Sequence, residues 1–568
     1  MRRIRLNATL FISRRRTLLK ESTTSLKYHL RAKHIFADAS KDASTETASS
    51  RVRQTTLAEC SKAKSVNKAT TTKLTHAIAK WIAVDCRPIN IVEDHGLQGI
   101  IQIASDDPSY KPPARGTIVT RIHELFGSEK AKKAEQLAQA TFIALTGDHW
   151  TSVSNHNYLG VTAHLIDDKW QLHSFALGVV KTEERHFAEA CASQFLEVAK
   201  EWEITDKVTT IGPDSACNMI AAARSLPFEH MPCVAHIIQR VITVSLRDSG
   251  FDGALAKCHK IVGHSKHSPA NTAELKLQQA SHGQEEQSLV QDVPTRWNST
   301  LEMIKRVQNN KDPLKATLAQ QKHKLAMLTS AEYDRLAKLE TLLEPCRYVT
   351  ELLGGDKYVS CSVALPALCH LLRTMDVSDV DPAYIVRFKT AFTEDLNRRN
   401  ENTNLLWLKV ATALDPRFKD LRCLPRAEGE EVWQKLSEML KDREPASQPS
   451  REEIEPEPPK KKKMALLLMG SESESDDEAL STDKTVDRYK AESSVGIEAC
   501  PLQWWAAHTG AHGKLAHIAQ RYLATPASTV PCERLFSLAG HIVQKKRSAL
   551  SSENVNKLVC LSNWLKEK

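Results

Sequence analysis

Three short β-rich runs constrain the fold more than any other feature, because the other periodic segments of the sequence are mostly helical. They read TFIALTGDHWTS (141–152), YLGVTAHLID (158–167) and WQLHSFALGVV (170–180), with tight connections between them. This spacing is typical of an antiparallel three-strand meander. A helix, a short strand KVTTIG (207–212), a second helix, a strand in MPCVAH (231–236) and a third helix follow. The order predicts an α/β sheet.

Two aspartates follow predicted strands of this sheet, and a glutamate lies far along the chain. Asp148 and Asp214 each fall just past the end of a strand, where α/β sheets place their chemistry. Glu533 falls in the first turn of a predicted helix, where a carboxylate complements the helix dipole. An interrupted α/β fold can gather three such carboxylates to hold two Mg²⁺ ions roughly 3.5 to 4 Å apart for phosphoryl transfer. For each acid alone, a turn or helix-capping role is the alternative.

Helical periodicity predominates on both sides of the sheet-forming segment, as in LTHAIAKWIAVD before it and EEVWQKLSEMLKD after it. Two stretches rich in small or charged residues interrupt this pattern and are predicted to be a linker and a disordered segment. The predicted boundaries are 1–36 for a basic N-terminal segment, 37–68 for the linker, 69–135 for a helical N-terminal region, 136–250 for the α/β segment, 251–440 for a helical segment, 441–485 for the disordered segment and 486–568 for a helical C-terminal region.

The composition of the 568 residues narrows the class of protein. A net charge of +9 points weakly to nucleic acid as an anionic partner. The 13 cysteines include no CxxC pair, so they predict no disulfide framework and fit a reducing compartment. No apolar run reaches eighteen residues, so we expect a soluble protein without a membrane span. The basic, acid-free residues 1–20 are typical of a mitochondrial transit peptide or, alternatively, of a replaced or truncated amino terminus.

Five motifs, TGDHWTS, IGPDSACNM, CVAH, TRWNST and PCERLFSLAG, occur in this order and together resemble the hAT superfamily of DNA transposases. The same resemblance extends to host proteins derived from those transposases, including the BED zinc-finger proteins. It implies an α/β RNase H-like core interrupted by a large all-α insertion domain, with a helical C-terminal dimerisation region. It also implies a catalytic Asp, Asp, Glu triad at Asp148, Asp214 and Glu533, which would hold Mg²⁺ in an active enzyme.

The resemblance implies DNA contacts as well. Cys233 and His236, in CVAH, match a pair that helps to position DNA, although a buried thiol and a capping imidazole are an equal alternative. Arg296 and Trp297, in TRWNST, match a pair in which the indole stacks on an extruded base and the guanidinium contacts phosphate. Otherwise the tryptophan is a core residue. The basic patch that we expect to contact phosphate without reading sequence is Lys545, Lys546 and Arg547.

His29 and His34, in STTSLKYHLRAKHIF, resemble the carboxyl half of a BED-type zinc finger. The first cysteine of the sequence is Cys60, so no upstream pair completes a tetrahedral site. We therefore expect the first 36 residues to hold a finger remnant without zinc, unless another chain supplies ligands. Alternatively, the two histidines are a polar helix face. A second group without regular metal spacing is predicted to be ordinary helix; it contains Cys258, His264 and His267.

Two departures from the family pattern affect the expected site, because Pro213 directly precedes the second acid and Cys532 stands where a serine most often precedes the third.

The resemblance and the net positive charge together predict a nuclear DNA-binding protein that forms a homodimer or higher oligomer and regulates transcription or chromatin, with no small-molecule substrate. The alternative is an active transposase that cuts and joins DNA with two Mg²⁺ ions. A further alternative, a SUMO ligase-like role, rests on the resemblance and on the run ALLL (465–468) beside acidic serines.

Overall fold

The structure is a computed structural model that describes most of the chain from residue 66 onward. The described residues are 66–152, 155–182, 187–293, 296, 298–320, 325–355, 360–441, 477–543 and 550–566. They belong to one compact unit, Val66–Lys568. None of the helices within these ranges is both long enough and apolar enough to cross a membrane.

A mixed five-stranded sheet carries the first two candidate acids. Its strands are β1 (Ile143–Thr151), β2 (Asn157–Ile166), β3 (Leu172–Thr182), β4 (Val208–Pro213) and β5 (Glu229–His230). The spatial order is β3-β2-β1-β4-β5. The first three strands pair antiparallel, as the meander prediction required, whereas β1–β4 and β4–β5 pair parallel.

The last strand differs from its prediction. The sequence MPCVAH (231–236) was expected to be the strand, but the strand is Glu229–His230, and a helix begins at Val234. Pro232 lacks a backbone N–H donor, and this is why the ladder cannot continue through it. The N–H of Met231 still donates to the carbonyl oxygen of Ile211 at 2.9 Å, so the chain leaves the sheet only after that residue.

Helices account for nearly all the other regular structure of the described residues. They are α1 (Lys68–Val84), α2 (His95–Ser105), α3 (Arg115–Gln139), α4 (Ala188–Glu201), α5 (Cys217–Ser225), α6 (Val234–Ser245), α7 (Asp252–Lys266), α8 (Pro269–Ser281), α9 (Ser299–Asn309), α10 (Lys311–Gln320), α11 (Ser330–Leu353), α12 (Ala364–Thr374), α13 (Ala383–Asn400), α14 (Leu405–Ala413), α15 (Arg426–Lys441), α16 (Asp477–Ala491), α17 (Pro501–His508), α18 (Gly513–Leu523), α19 (Val530–Ile542) and α20 (Ser552–Lys566). Short 3₁₀ turns lie at Ile89–Glu93, Thr205–Lys207 and Cys361–Val363.

Two hydrophobic cores organise these elements. The first, which we call the sheet core, contains most of the sheet together with α1, α3, α4, α5, α19 and α20. The second, the helical core, contains α6 through α18. The chain therefore enters the helical core after β5, and its buried side chains return to the sheet core with α19. Buried side chains of α16, α17 and α18 lie with the helical core although these helices come late in the chain.

A buried connector, residues 524–529 between α18 and α19, joins the two cores. The N–H of Cys361 donates to the carbonyl oxygen of Thr525 at 2.8 Å, and the N–H of Val234 donates to that of Ala527 at 3.1 Å. The hydroxyl of Ser528 donates to the carbonyl oxygen of Leu353 at 2.8 Å. These bonds to three separate elements fix the position from which α19 begins.

Helix α20 covers the edge strand β3 with polar side chains. The backbone N–H groups of Val179 and Ala176 donate to the amide oxygens of Asn556 and Asn563, each at 2.8 Å. The indole N–H of Trp564 donates to the carbonyl oxygen of Ala176 at 2.8 Å. These bonds flank a register shift in the β2–β3 pairing, where the ladder passes from Gly178 to Ala176. The edge of the sheet is thus closed to further strand pairing.

The apolar side of α20 is also used within the chain. Its large side chains, Val555, Leu558, Val559, Leu561 and Trp564, are buried in the sheet core, where α20 packs against β3, α1, α3 and α19. The sequence predicted that the residues from Val555 to Leu565 pack between domains or subunits. In the described chain they pack between the N-terminal helices and the sheet.

Candidate functional site

The register of the sheet places Asp148 and Asp214 next to each other. In the parallel pairing of β1 with β4, the last paired residues are Gly147 and Pro213. The next residue on each strand is one of the two aspartates. Asp148 lies within β1, because the antiparallel pairing with β2 continues to Thr151. Asp148 was predicted to follow the end of its strand. This is right for the pairing with β4, which ends at Gly147, and wrong for the pairing with β2, which continues past Asp148.

Helix α19 brings Glu533 to the same end of the sheet. Gly160, directly opposite Asp148 in the β1–β2 ladder, has no side chain, and the ring of Phe536 occupies that space. A Cβ atom at position 160 would lie 2.8 Å from Phe536 Cε1. Glu533 is three residues before Phe536, so both lie on one side of the helix. The Phe536 ring also stacks on Trp150 of β1, with 6.1 Å between ring centroids.

The three carboxyl groups interact electrostatically. Asp148 is 7% exposed, and burial, followed by the negative charges of Asp214 and Glu533, holds its pKa well above the usual range. Burial also raises the pKa of Glu533. Local backbone N–H groups orient the aspartates: that of His149 donates to Asp148 Oδ1 at 2.8 Å, and that of Ala216 donates to Asp214 Oδ1 at 3.1 Å.

His236 supplies the positive charge at this cluster. Its Nε2 atom lies 3.7 Å from Glu533 Oε1. Burial disfavours the charged imidazole, but acidic neighbours outweigh burial and raise the pKa of His236 to about 10. These neighbours are Cys233, Asp148 and Glu533. We therefore expect an imidazolium beside the third acid at neutral pH.

Cys233 is buried, and it raises the pKa of His236 from within the protein. It is 2% exposed, and its sulfur accepts a hydrogen bond of 3.2 Å from the backbone N–H of Thr529. The hydroxyl of Thr529 lies 3.4 Å from Nδ1 of His236. The connector therefore holds both members of the CVAH pair, and any effect of Cys233 on DNA would pass through the imidazole.

A buried polar cluster fixes the start of α19 below the acids. Cys532 Sγ lies 3.3 Å from Thr146 Oγ1 and 3.4 Å from Thr162 Oγ1. His164 Nε2 lies 3.0 Å from each of these hydroxyls. Burial lowers the pKa of His164 to about 3, so the ring is neutral. The cysteine that departs from the family pattern therefore joins α19 to β1 and β2.

The donor chemistry of the acids fits a divalent metal. Glu533 Oε1 is buried and accepts no hydrogen bond from any residue that the structure describes. Asp148, Asp214 and Glu533 would offer hard oxygen ligands, which Mg²⁺ prefers. Across the described ranges, however, no group of three or more His, Cys, Asp or Glu side chains is arranged closely enough to hold a metal ion. Metal binding would require these carboxylates to move closer together.

The remaining predicted site residues lie elsewhere. Arg296 is exposed in the segment before α9, and its backbone N–H donates to the carbonyl oxygen of Val293 at 2.8 Å. Cys258 is buried in the helical core, and His264 pairs with the amide of Asn271 at 2.8 Å. Several residues predicted from sequence lie outside the described residues: His29, His34, Trp297, Lys545, Lys546 and Arg547, together with Cys60 and the run ALLL (465–468).

Three residues that position the site were not predicted. They are Gly160, Phe536 and Thr529, whose contacts are described above. A glycine inside the strand YLGVTAHLID is a signal of close approach by another element, but it does not identify that element. The role of Thr529 depends on a fold contact with a residue almost 300 positions earlier, as the separation of 296 between Thr529 and Cys233 shows.

Three family models match the chain. The ZBED1 RNase-like domain matches residues 146–253, which include the first two acids and the CVAH pair. The ZBED1 RNase-like helical domain matches residues 231–342. The hAT family C-terminal dimerisation region matches residues 480–565, which include Glu533.

Curated relatives match over most of this chain. The putative AC transposase of Zea mays is 26% identical over 84% of this chain and 63% of its own length. The putative transcriptional regulator tpeD of Talaromyces stipitatus is 22% identical over 85% of this chain and 60% of its own length. Zinc finger BED domain-containing protein 4 of Homo sapiens is 22% identical over 86% of this chain and 43% of its own length.

The chain thus spans less than two thirds of the length of these relatives. The matched regions nevertheless cover residues 146–342 and 480–565, which contain the five sequence motifs in order. A mixed five-stranded sheet and a mostly helical remainder agree with the RNase-like and helical descriptions. The chain belongs to the proteins derived from hAT transposases, in the group that includes the BED-type zinc-finger proteins.

Proposed function

We propose that this chain is a nuclear, DNA-associated protein that self-associates and regulates transcription or chromatin. The observation that carries the proposal is the ion pair between His236 and Glu533. Three acids at one end of a sheet would repel a phosphate backbone. A protonated imidazole beside Glu533 reduces that repulsion and gives this face a group that attracts phosphate.

The names of the relatives support a regulatory role. One is called a putative transcriptional regulator, and another is a zinc finger BED domain-containing protein. The match to a C-terminal dimerisation region supports self-association. We propose a homodimer as its simplest form, with the exposed side of the helical C-terminal region available to a second copy.

Basic side chains support DNA association. The net charge is +9, and Arg296 is exposed. We propose that Arg296 and the basic patch at 545–547 contact phosphates, with Trp297 stacking on a base. Such contacts release counterions, so the affinity for DNA should fall as the salt concentration rises.

An active transposase is the second candidate. It is favoured by the electrostatic interaction of Asp148 with Asp214 and Glu533, because this interaction needs three carboxyl groups at one place. A bound Mg²⁺ pair would supply charge neutralisation and an activated water for phosphodiester cleavage. In that state Asp148, Asp214 and Glu533 would hold the ions. His236 would remain beside Glu533 to balance its charge and to contact phosphate. Nothing favours a SUMO ligase-like role among the described residues.

One experiment separates the two candidates. Duplex DNA carrying the terminal sequences that flank the gene is incubated with Mg²⁺ and either wild-type protein or Asp214→Asn, and nicked or hairpin products are measured together with binding. A regulator should bind DNA equally in both forms and give no product. Asp206→Asn is a matched control, because Asp206 is exposed just before β4 and outside the acid cluster.

Chromatin occupancy measured for the same three proteins completes the test. We expect equal occupancy for wild type, Asp214→Asn and Asp206→Asn. Mg²⁺-dependent cleavage by wild type and Asp206→Asn but not by Asp214→Asn would reject the purely regulatory role and establish the enzyme. Absence of both DNA binding and occupancy would reject both candidates.

A further inference from the structure

Two cysteines in the helical core form a pair remote in sequence from the acid cluster. Cys369 lies on α12, and Cys423 lies in the loop between α14 and α15. Both are free and half-buried. Pro366 and Arg373 lie three residues before and four residues after Cys369 on α12, and both line one cavity with Cys423. Because residues at this spacing share one side of a helix, Cys369 lies on the side of α12 that faces Cys423, where the two thiols interact.

Contacts around the pair hold its two segments together. Arg373 follows Cys369 by one helical turn, and its guanidinium donates to the carbonyl oxygen of Arg422 at 3.3 Å. Arg422 immediately precedes Cys423. Both cysteines also pack against the helical core. The neighbouring position of the thiols therefore follows from the packing of α12 on this loop.

The two thiols differ in reactivity. The hydrogen bond from Cys423 and, against the effect of burial, the charge of Arg373 lower the pKa of Cys369 to about 7. The same hydrogen bond raises the pKa of Cys423. Cys369 is therefore the nucleophile at neutral pH, and Cys423 is the proton donor beside it.

A cavity beside the pair gives small molecules access to Cys423. It has a volume of about 480 Å³, and Cys423, Pro366 and Phe418 line it together with Arg373, Arg417 and Arg422. Arg417 is neutralised by the buried carboxylate of Asp415 at 2.7 Å. Arg422 is likewise paired with Asp420, which also lines the cavity, at 3.0 Å. The remaining guanidinium of the lining, that of Arg373, favours a thiolate on Cys369. No third His, Cys, Asp or Glu side chain of the described chain completes a metal site here.

We propose that Cys369 and Cys423 are an oxidation site at which a hydroperoxide converts the two thiols into an intramolecular disulfide. The Cys369 thiolate attacks one oxygen of the peroxide. An S–O bond forms, the O–O bond breaks, and the leaving hydroxide or alkoxide takes a proton to give water or an alcohol. The product at this stage is a sulfenic acid on Cys369.

The second step closes the bridge. The sulfur of Cys423 attacks the sulfur of the sulfenic acid, the S–S bond forms, and the hydroxyl group leaves as water with the thiol proton. Two thiols have then lost two electrons, which the peroxide has accepted. The disulfide would tie α12 to the loop before α15, and a dithiol reductant would reverse it.

The test uses the full chain, hydrogen peroxide as the oxidant, and peptide mapping by mass spectrometry. Equimolar peroxide should produce a peptide pair linked through Cys369 and Cys423, with the loss of two titratable thiols that dithiothreitol restores. In Cys423→Ser, dimedone should instead trap a sulfenic acid on Cys369. In Cys369→Ser, neither the link nor a dimedone adduct on Cys423 should form.

Cys500 provides the matched control, because it is also a half-buried cysteine of the helical core. At pH 7, iodoacetamide should modify Cys369 about tenfold faster than Cys500, since the pKa of Cys369 is lowered to about 7. Equal rates, or peroxide links that join other cysteines as often as this pair, would overturn the proposal. The wild-type peptide map decides the question even if a serine variant fails to fold.

Discussion

The neutral ring of His164 makes the stability of the protein depend on pH. The side chain is 2% exposed, and burial lowers its pKa to about 3 from an ordinary value of 6.5. Between these two pH values the unfolded chain binds a proton that the folded chain excludes. The free energy of unfolding therefore falls as the pH drops through this window.

We expect His164 to contribute a loss of about 2 kcal/mol between pH 7 and pH 5. Urea unfolding at the two pH values measures it. His164→Asn should reduce the pH dependence by about that amount, whereas His95→Asn, a change at an exposed position, should leave it as in wild type. An unchanged pH dependence in His164→Asn would mean that the folded protein accepts the proton at this ring.

A single glycine controls the approach of α19 to the sheet. In Gly160→Ala the new methyl group would overlap the ring of Phe536. Overpacking of this kind costs about 1 to 3 kcal/mol, and it should also shift Glu533 away from Asp148. Chemical unfolding measures the cost. Adding Phe536→Leu should recover part of it, so the double variant should be more stable than the sum of the single changes predicts.

Gly178 is the matched control for this substitution. It lies on the neighbouring strand β3, where a Cβ atom would approach Asn556 Oδ1 no closer than 3.6 Å. Gly178→Ala should therefore change the free energy of unfolding by less than about 0.5 kcal/mol. Equal losses in both alanine variants would indicate a general cost of substitution in these strands, not a collision with Phe536.

The residue-scale findings differ in how far the sequence could predict them. Asp148, Asp214 and Glu533 were predicted as candidate site residues from motif order and family resemblance, because each lies in a motif with distinctive neighbours. The partners that set their charge and position could not be read in the same way. His236 was predicted to be a DNA contact, but its pairing with Glu533 depends on how α6 meets α19, and no local pattern encodes that contact.

At the scale of elements, α20 protects the edge of the sheet with amide side chains. Asn556→Ala should leave the N–H of Val179 without its acceptor, at a cost of about 1 to 3 kcal/mol. Asn556→Asp keeps an oxygen at that place and should lose less. Thermal unfolding compares these variants, and light scattering on heating should show more aggregation for the alanine variant because an edge strand is uncovered.

Asn554→Ala is the control on the same helix. The amide oxygen of Asn554 lies 3.1 Å from Nε2 of His123 and not on a strand. A loss of stability in Asn554→Ala as large as in Asn556→Ala, with no difference in aggregation, would contradict a specific role in edge protection.

The three-strand meander and most helices could be anticipated from the hydrophobic period, whereas the covering of the edge strand β3 by α20 could not. Sequence pattern identified the apolar face from Val555 to Leu565 but gave no signal for the bonds that Asn556 and Asn563 make to β3. Their function depends on the register shift in β3 at the place where α20 crosses it. Two-residue strands such as β5 are similarly invisible to periodicity, since two residues contain no period.

At the scale of the whole molecule, the apolar side of α20 is buried within the chain, in the sheet core. Leu558→Asp would bury an unpaired charge in the sheet core, at a cost of several kcal/mol. We therefore expect loss of folded protein, measured by circular dichroism, and not a folded monomer. Ser552→Asp, at the exposed start of the same helix, should retain the wild-type fold and the wild-type mass in sedimentation.

A folded monomeric Leu558→Asp would contradict this assignment, because it would make the buried side of α20 a subunit interface. The family match to a dimerisation region covers helices of both cores. Sequence similarity could identify that region, but it could not divide its apolar residues between internal packing and contact with a second chain. That division depends on which surfaces the rest of the fold already covers.

The distance along the chain between the acids affects how the protein is made. Asp214 and Glu533 are 319 residues apart. At about 5 to 20 residues per second, a ribosome needs roughly 15 to 60 seconds to synthesise that interval. During this time the nascent sheet lacks α19, and the strand face that receives Phe536 remains open to chaperones. A polypeptide released early from translation therefore carries two of the three acids and cannot complete the cluster.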